Sequence, residues 1–314
     1  MYGYDNYQKV KNEIEAKRLA AIAKADERNN ALRMESEEIR EIDRELVTTG
    51  LRLFKAACEG SDITPIKERN LALTARRKEI LVKLGYPEDY TEVKYSCPDC
   101  SDSGFIDMRM CHCLREALLK ENIKSSGIGK LIERQSFENF DFTHYEDENI
   151  RRRMEYNYSV AKNFAEKFGE GDKNLLFIGS TGTGKTHLST AIAKTVIEKG
   201  YEVLYDSAQN IVAAFETDRF KSGYGPYEPK ADKYMECDLL ILDDLGTEFV
   251  NQFTVSCLYN LLNTRINKGL CTVISTNLSP DELSSKYEDR IYSRIVGSDS
   301  QILLFSGKDR RLEG

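Results

Sequence analysis

The stretch Gly179-Ser180-Thr181-Gly182-Thr183-Gly184-Lys185-Thr186 constrains this chain more than any other segment of it. It fits G-x-x-x-x-G-K-[ST], and it lies between an apolar run, Leu175–Ile178, and a helical pattern that begins at Thr186. The glycines let the backbone turn tightly, so that successive N–H groups face inward around phosphate oxygens. The start of the helix adds partial positive charge. Lys185 is placed for the β- and γ-phosphates of a nucleotide, and the Thr186 hydroxyl for Mg2+. Such a loop belongs at the end of a buried strand that runs straight into a helix, so the fold must contain an α/β sheet.

Four further apolar runs supply that sheet: Glu202–Tyr205, Leu239–Leu242, Thr272–Thr276 and Ile302–Phe305. Helical stretches separate them. One runs from Thr186 to Gly200 and another from about Phe253 to Lys268, stopped by Gly269; a third is opened by the capping box Ser279-Pro280-Asp281-Glu282. This alternation implies a doubly wound parallel sheet with right-handed crossovers. The run Leu239–Leu242 ends in Asp243 and Asp244. An acid at this place holds the water shell of Mg2+, a role that falls to Asp243, and a second acid can polarise an attacking water, a role that falls to Asp244. Asn277 follows the next strand, where a polar side chain either senses the nucleotide or serves a turn. Arg290 and Arg294 stand at i and i+4 on one helical face, either as surface ion-pair partners or as charge offered to a neighbouring subunit's γ-phosphate.

The first quarter of the chain is different. From Tyr7 to about Leu84 it is rich in Lys, Arg, Glu and Ala, and Val10, Ile14, Ile39, Ile42, Leu46 and Leu53 recur at helical spacing. The pattern weakens through Ala20–Asn30, which leaves a continuous coiled coil unsecured. Thr64-Pro65 reads as a cap and first helical position, and Gly85 with Pro87 closes that helix. A helical hairpin or antiparallel helix pair is expected, either as a charged spacer or as a partner-binding module.

Two close cysteine pairs follow, Cys97-x2-Cys100 and Cys111-x-Cys113, ten residues apart. Four soft ligands at this spacing suit tetrahedral Zn2+, with His112 able to replace one thiolate. A metal would also hold together a segment with almost no core. The rival, a redox C-x-x-C, ordinarily opens a helix in a βαβ unit, a context missing here. Cys58, Cys237, Cys257 and Cys271 read as core cysteines. No apolar run approaches the roughly 20 residues that span a bilayer, and the N-terminus lacks a signal-peptide core. A cytoplasmic protein with no membrane partner is expected, with thiols rather than disulfides. The formal net charge of -7 excludes a globally basic nucleic-acid coat while leaving room for a local basic groove.

With these motifs in view (CPDCSDSGF…CHCL, GSTGTGKTHL, LLILDDLG, ISTNL and DRIYSRI), residues 89–314 resemble the bacterial DnaC/DnaI-type replicative helicase loaders. The ATPase half is also similar to the IstB transposition helpers. The resemblance implies an AAA+ core with sheet order 5-1-4-3-2. Gly179 to Thr186 would be Walker A, with His187 next to it at the nucleotide. Asp243 and Asp244 would be Walker B, Asn277 sensor 1, and Arg294 the trans-acting finger with Arg290 beside it. Arg311 would do part of the sensor 2 work in place of a large C-terminal lid. Single-stranded DNA would pass the segment holding Lys221, Tyr224, Tyr227, Lys230 and Lys233, where aromatics alternate with lysines. The implied organisation is a helical, helicase-binding region over 1–88, a zinc module over 89–118, a linker over 119–134 and the ATPase domain over 135–314. The implied function is ATP-dependent loading of a hexameric helicase onto single-stranded DNA by a loader that assembles with ATP. The alternatives are an ATPase that assists a transposase and a nucleotide-binding adaptor with little hydrolysis.

Overall fold

The computed structural model describes residues 3–171, 173–221 and 229–309. The side chain of Lys221, together with Tyr224, Tyr227 and Arg311, lies outside the described residues. The chain divides into two units, residues 9–115 and residues 1–8 with 116–314.

In the first unit, α1 (Tyr4–Glu35, which begins in the other unit) is followed by α2 (Glu37–Cys58) and α3 (Thr64–Lys83). The break between α1 and α2 falls at Ser36, whose side chain accepts from the Ile39 N–H and which precedes the acids Glu37 and Glu38. That is an ordinary helix start set inside what the sequence suggested as one run. Leu32, Ile39, Ile42, Leu73, Ile80 and Leu81 form the core of this unit. Asp43 sits at the junction, accepting from Arg33 and Arg77 at 2.8 Å each. The cap of α3 differs from expectation. Thr64 is already helical, Ile63 stands at the cap without a side-chain bond, and Asp62 Oδ1 accepts from the Thr64 N–H at 2.9 Å. Cys58 also differs: it is exposed at the end of α2, whereas Cys237, Cys257 and Cys271 are buried. A two-residue hairpin, β1 (Phe105–Ile106) with β2 (Arg109–Met110), completes the unit.

Helix α4 (His112–Ser125) begins in the first unit and continues into the second, where α5 (Leu131–Arg134) and α6 (Glu148–Glu166) lead into the sheet. There follow β3 (Asn174–Gly179), α7 (Lys185–Glu198), β4 (Val203–Ser207), α8 (Ala208–Lys221), α9 (Asp232–Glu236), β5 (Leu239–Leu245) and α10 (Gln252–Lys268). The chain continues through β6 (Cys271–Thr276), α11 (Pro280–Lys286), α12 (Asp289–Val296) and β7 (Ser300–Phe305). The strands are parallel and lie in the order β4-β5-β6-β3-β7. Counted from β3, that is the 5-1-4-3-2 order that the family resemblance implied.

Burial on both faces explains why β3 and β5 read as unbroken apolar runs. Leu175 and Phe177 of β3 pack with Leu188, Ile192 and Val196 of α7 on one side. Leu176 and Ile178 pack with Leu258, Leu261 and Ile295 of α10 and α12 on the other. A charged residue also lies inside the sheet-bearing unit. Arg265 of α10, 0% exposed, donates to Thr272 Oγ1 (3.0 Å) and to the carbonyls of Tyr234 (2.9 Å), Cys237 (2.9 Å) and Cys271 (2.5 Å). It ties α9 to the starting ends of β5 and β6, and burial draws its pKa down. No helix among the described residues is long and apolar enough to cross a membrane.

Candidate functional site

The loop after β3 is built by close approach. A Cβ on Gly179 would lie 2.1 Å from the Phe305 carbonyl oxygen, so only glycine lets β3 end against β7 at this point. Gly184, with φ +99°, reverses the chain into α7. Between them the loop braces itself. Thr183 Oγ1 donates to the Ser180 carbonyl at 2.8 Å, and the Tyr145 hydroxyl donates to the Thr183 carbonyl at 3.0 Å. Thr181 Oγ1 donates to Asp309 Oδ2 at 3.4 Å.

Lys185 is 6% exposed, and its ammonium donates to the carbonyls of Gly179 (2.6 Å) and Ser180 (2.7 Å) and to Asn277 Oδ1 (2.8 Å). A buried cation is thereby held among three oxygens at the mouth of a loop whose N–H groups and helix start also favour an anion. A cleft of about 190 Å3 opens here, lined by Gln135, Thr181 to His187, Asp244 and Asn277. His187 Nε2 donates to the Ser136 carbonyl at 2.9 Å and to Asn139 Oδ1 at 3.1 Å. Through these bonds the segment after α5 is fastened to the first turn of α7.

The two acids at the end of β5 diverge. The β5–β6 register shifts between Leu242 and Leu245. Asp244 takes the left-handed conformation there, φ +52°, with its N–H donating to Ser275 Oγ at 3.1 Å. This bulge brings Asp244 to the cleft. Asp243 is held one step back: Ser275 donates to its Oδ1 and the Tyr205 hydroxyl to its Oδ2. Burial, reinforced by the Asp243 charge, pushes the Tyr205 phenol well above its usual range, so it stays a donor. Ser275 lies in the ISTNL motif and Tyr205 at the end of an apolar run, yet neither takes a role from the sequence; the signal is their place on strands flanking the acid.

Arg290 and Arg294 of α12 are also set apart. Arg294 donates to Asn263 Oδ1 (2.8 Å), the Tyr259 hydroxyl (3.1 Å) and the Arg290 carbonyl (2.7 Å), and its guanidinium lies 4.3 Å from the Tyr259 ring centroid. It fastens α12 to α10, while Arg290 is exposed. Of the nucleic-acid candidates, Lys230 and Lys233 are exposed. Phe249, 84% exposed, and an Arg219 guanidinium 5.3 Å from the Phe253 ring centroid were not foreseen.

In the other unit the four cysteines converge. Their sulfurs lie within 4.8 Å of one another, with Cys97–Cys111 at 3.8 Å and Cys100–Cys113 at 3.4 Å. Tetrahedral zinc with bonds of about 2.3 Å separates its sulfurs by roughly 3.8 Å. The residues therefore fit the metal. Asp102 shapes the knuckle by accepting from the N–H groups of Ser96 (2.8 Å) and Cys97 (2.7 Å). Burial opposes ionisation of Cys100, yet the Gly104 N–H and the three neighbouring thiols bring it down to about 7. His112 stands beside the cluster, its Nδ1 3.5 Å from Cys111 Sγ, and with Cys97 and Asp99 offers a second, more exposed ligand set.

Known proteins resemble more than half of the chain. The replicative helicase loader DnaC of Escherichia coli (strain K12) is 24% identical over 192 residues, 61% of this chain and 75% of that protein. The crystal structure of the DnaC helicase loader has a TM-score of 0.46 and 22% identity, covering 54% of this chain and 98% of that one. That of DnaI has a TM-score of 0.46 and 24% identity, covering 59% and 95%. The family model described as IstB-like ATP binding protein matches residues 110–296, more than half of the sequence, and the chain belongs to that family.

Proposed function

We propose that this protein is an ATP-driven loader of a replicative helicase. The carrying observation is the convergence of Lys185, Asn277 and Asp244 on one cleft at the end of a parallel sheet. Bound nucleotide would place its phosphates against the loop N–H groups and Lys185. Mg2+ would neutralise phosphate charge, held by the Thr186 hydroxyl and, through water, by Asp243. Asp244 is the group that faces the cleft to accept a proton from an attacking water, and Asn277, bonded to Lys185, is placed to register whether a γ-phosphate is present. Arg290 is the freer of the two arginines to reach a neighbour's nucleotide, with Arg294 anchoring the helix that carries it. That arrangement supports assembly through ATP at subunit edges and release on hydrolysis.

Single-stranded DNA would lie along Lys230, Lys233 and the stacked Arg219 and Phe253, with Phe249 as a further platform. The first unit, with zinc in the four-cysteine site, is the partner-binding end. Val47, Leu51 and Phe54 of α2 are 64–73% exposed and follow one another at i, i+4 and i+7, the spacing of a helix that awaits another helix. The DnaC relatives favour a helicase subunit as that partner. The family match favours one second reading, assistance to a DNA transposase.

Co-purification with the replicative helicase of the same genome, in ATP and in ADP, separates these readings. A loader captures the helicase, and capture of a transposase alone sinks the proposal. ATP turnover, measured with and without single-stranded DNA, should collapse in Lys185→Ala and Asp244→Asn. Equal turnover in all three proteins would remove the assigned site.

A further inference from the structure

Glu248 is a carboxylate, 4% exposed, set between the turn that carries Asp244 and the joint that carries the arginine helix. On the first side, the chain leaves Asp244 through a turn closed by Thr247, whose N–H and Oγ1 both donate to the Asp244 carbonyl, at 3.2 Å and 2.9 Å. Gly246 lies inside that turn with φ +106°, and its N–H donates to Glu248 Oε2 at 2.9 Å. On the other side, the Tyr287 hydroxyl donates to Glu248 Oε1. Tyr287, 2% exposed, ends α11, and Glu288 after it caps α12. Burial and the bond to Glu248 push the Tyr287 phenol above its usual range, so it remains a donor. Lys286 adds a second tie, its ammonium donating to the Gly246 carbonyl.

Gly246 stands two residues after Asp244, and Tyr287 three before Arg290. The bridge Gly246–Glu248–Tyr287 thus spans most of the gap between the acid at the cleft and the exposed arginine of α12. Apolar packing usually holds a fold as well as a buried charge does, so stability alone does not call for a carboxylate here. What a carboxylate adds is two directed bonds, one to each segment. We propose, resting on the nucleotide-site reading above, that Glu248 is a positioning residue that yokes the Asp244 turn to α12. The setting of the acid in one subunit's cleft and the reach of Arg290 toward a neighbouring subunit then change together. Neither Glu248 nor Tyr287 is among the described residues that line the cleft, so both act through Asp244 and Arg290.

The test uses the full-length protein with Mg2+ over a range of protein concentration, well below each variant's melting temperature. It measures phosphate release from ATP beside the dissociation constant for ADP. Tyr287→Phe cuts the bridge and should lower kcat by about tenfold to a hundredfold, the scale of a small misplacement of a catalytic group. Its ADP constant should stay within about twofold of wild type, the mark of a loss confined to the reacting state. Glu248→Gln should keep most of the wild-type kcat, because its carbonyl can accept from the Gly246 N–H while its amide donates to the Tyr287 oxygen. In the double variant Tyr287→Phe with Arg290→Ala the losses should not multiply, since both break one link. Wild-type turnover in Tyr287→Phe or in Arg290→Ala overturns the yoke. So do fully multiplied losses, a glutamine variant as slow as Tyr287→Phe, or a fall in ADP affinity as large as the fall in kcat. An inactive Asp244→Asn beside any of these leaves the cleft standing. Should Tyr287→Phe not fold, Lys286→Met, which frees the Gly246 carbonyl of the same turn, carries the test with the same expected split. A wild type that binds no ADP and releases no phosphate removes the nucleotide site itself.

Discussion

Replacing Arg265 with methionine should destabilise the sheet-bearing unit without touching its chemistry. The substitution keeps most of the apolar stem and deletes a guanidinium that satisfies the Tyr234, Cys237 and Cys271 carbonyls and Thr272 Oγ1. Four hydrogen bonds from a charged donor are worth about 1.5–3 kcal/mol each. Their sum, about 6–12 kcal/mol, is offset by several kcal/mol because the guanidinium no longer has to be desolvated. The net loss is then about 3–5 kcal/mol, as expected when one partner of a buried charged network is removed and its acceptors stay behind. At about 2–4 °C per kcal/mol for a unit of this size, the melting temperature should fall by about 6–20 °C. Circular dichroism on heating measures it. Affinity for ATP well below the transition should not change, because Arg265 bonds the start of β6 and Asn277 follows its end, roughly 15–20 Å away at 3.3 Å per residue. Arg265→Lys should fall between, since one ammonium cannot serve four divergent acceptors. A methionine variant that melts within about 2 °C of wild type would refute the account, for it would place the change among neutral surface substitutions.

Other outcomes follow from the same geometry. Asp244→Asn should abolish phosphate release and leave the melt unchanged, because asparagine tolerates the φ of +52°; Asp244→Val, β-branched in a left-handed position, should lose stability as well. Metal analysis should find one zinc per chain, and Cys100→Ser should lose it and open residues 9–115 to protease; a full-length protein that folds with no zinc would discard the four-thiolate site. Arg294→Ala should lower the melting temperature even in the monomer, whereas Arg290→Ala should keep it and impair turnover only where subunits assemble, a contrast readable by paired melts and phosphate assays. Glu202 gives a pH signature. Burial, with Asp238 nearby, raises its pKa above 4.5, so the folded state holds the proton more tightly than the unfolded one. Stability from this group is present below pH 4.5 and is lost as pH climbs through the folded value. Glu202→Gln should therefore be the more stable protein at neutral pH, with the gap closing in acid, as denaturant titrations at several pH values would show.

The strands were legible because burial on both faces leaves no choice but apolar residues, so Leu175–Ile178 and Leu239–Leu242 announce themselves. The loop was legible because phosphate cradling demands glycines and a lysine at fixed offsets. What escaped notice depends on contacts between distant segments. Arg265 looks like any basic residue near a helix end, and its burial is decided by carbonyls donated from α9 and β6. Ser36 breaks the first long helix with an ordinary cap, hidden because charged residues surround it on both sides. Asp243 and Asp244 are adjacent and take different roles from the sequence, but not different surroundings; the register shift after Leu242 sets the carboxylate of one against Ser275 and Tyr205 and brings the other to the cleft. Cys58 shares its residue type with Cys257, and only tertiary packing leaves one exposed and the other enclosed.

The hold on Lys185 has a consequence for how fast and how selectively the cleft fills. Its ammonium has already lost its water during folding and rests on Gly179, Ser180 and Asn277. An arriving triphosphate therefore does not have to dehydrate the cation; it has to offer oxygens good enough to win it from three that are in place. A ligand with a weaker or shorter anion gains little from that exchange. Under the proposed nucleotide role the loop would act as a threshold, and Asn277, bonded to Lys185, would be the first group outside the loop to lose its partner when the ammonium turned toward phosphate.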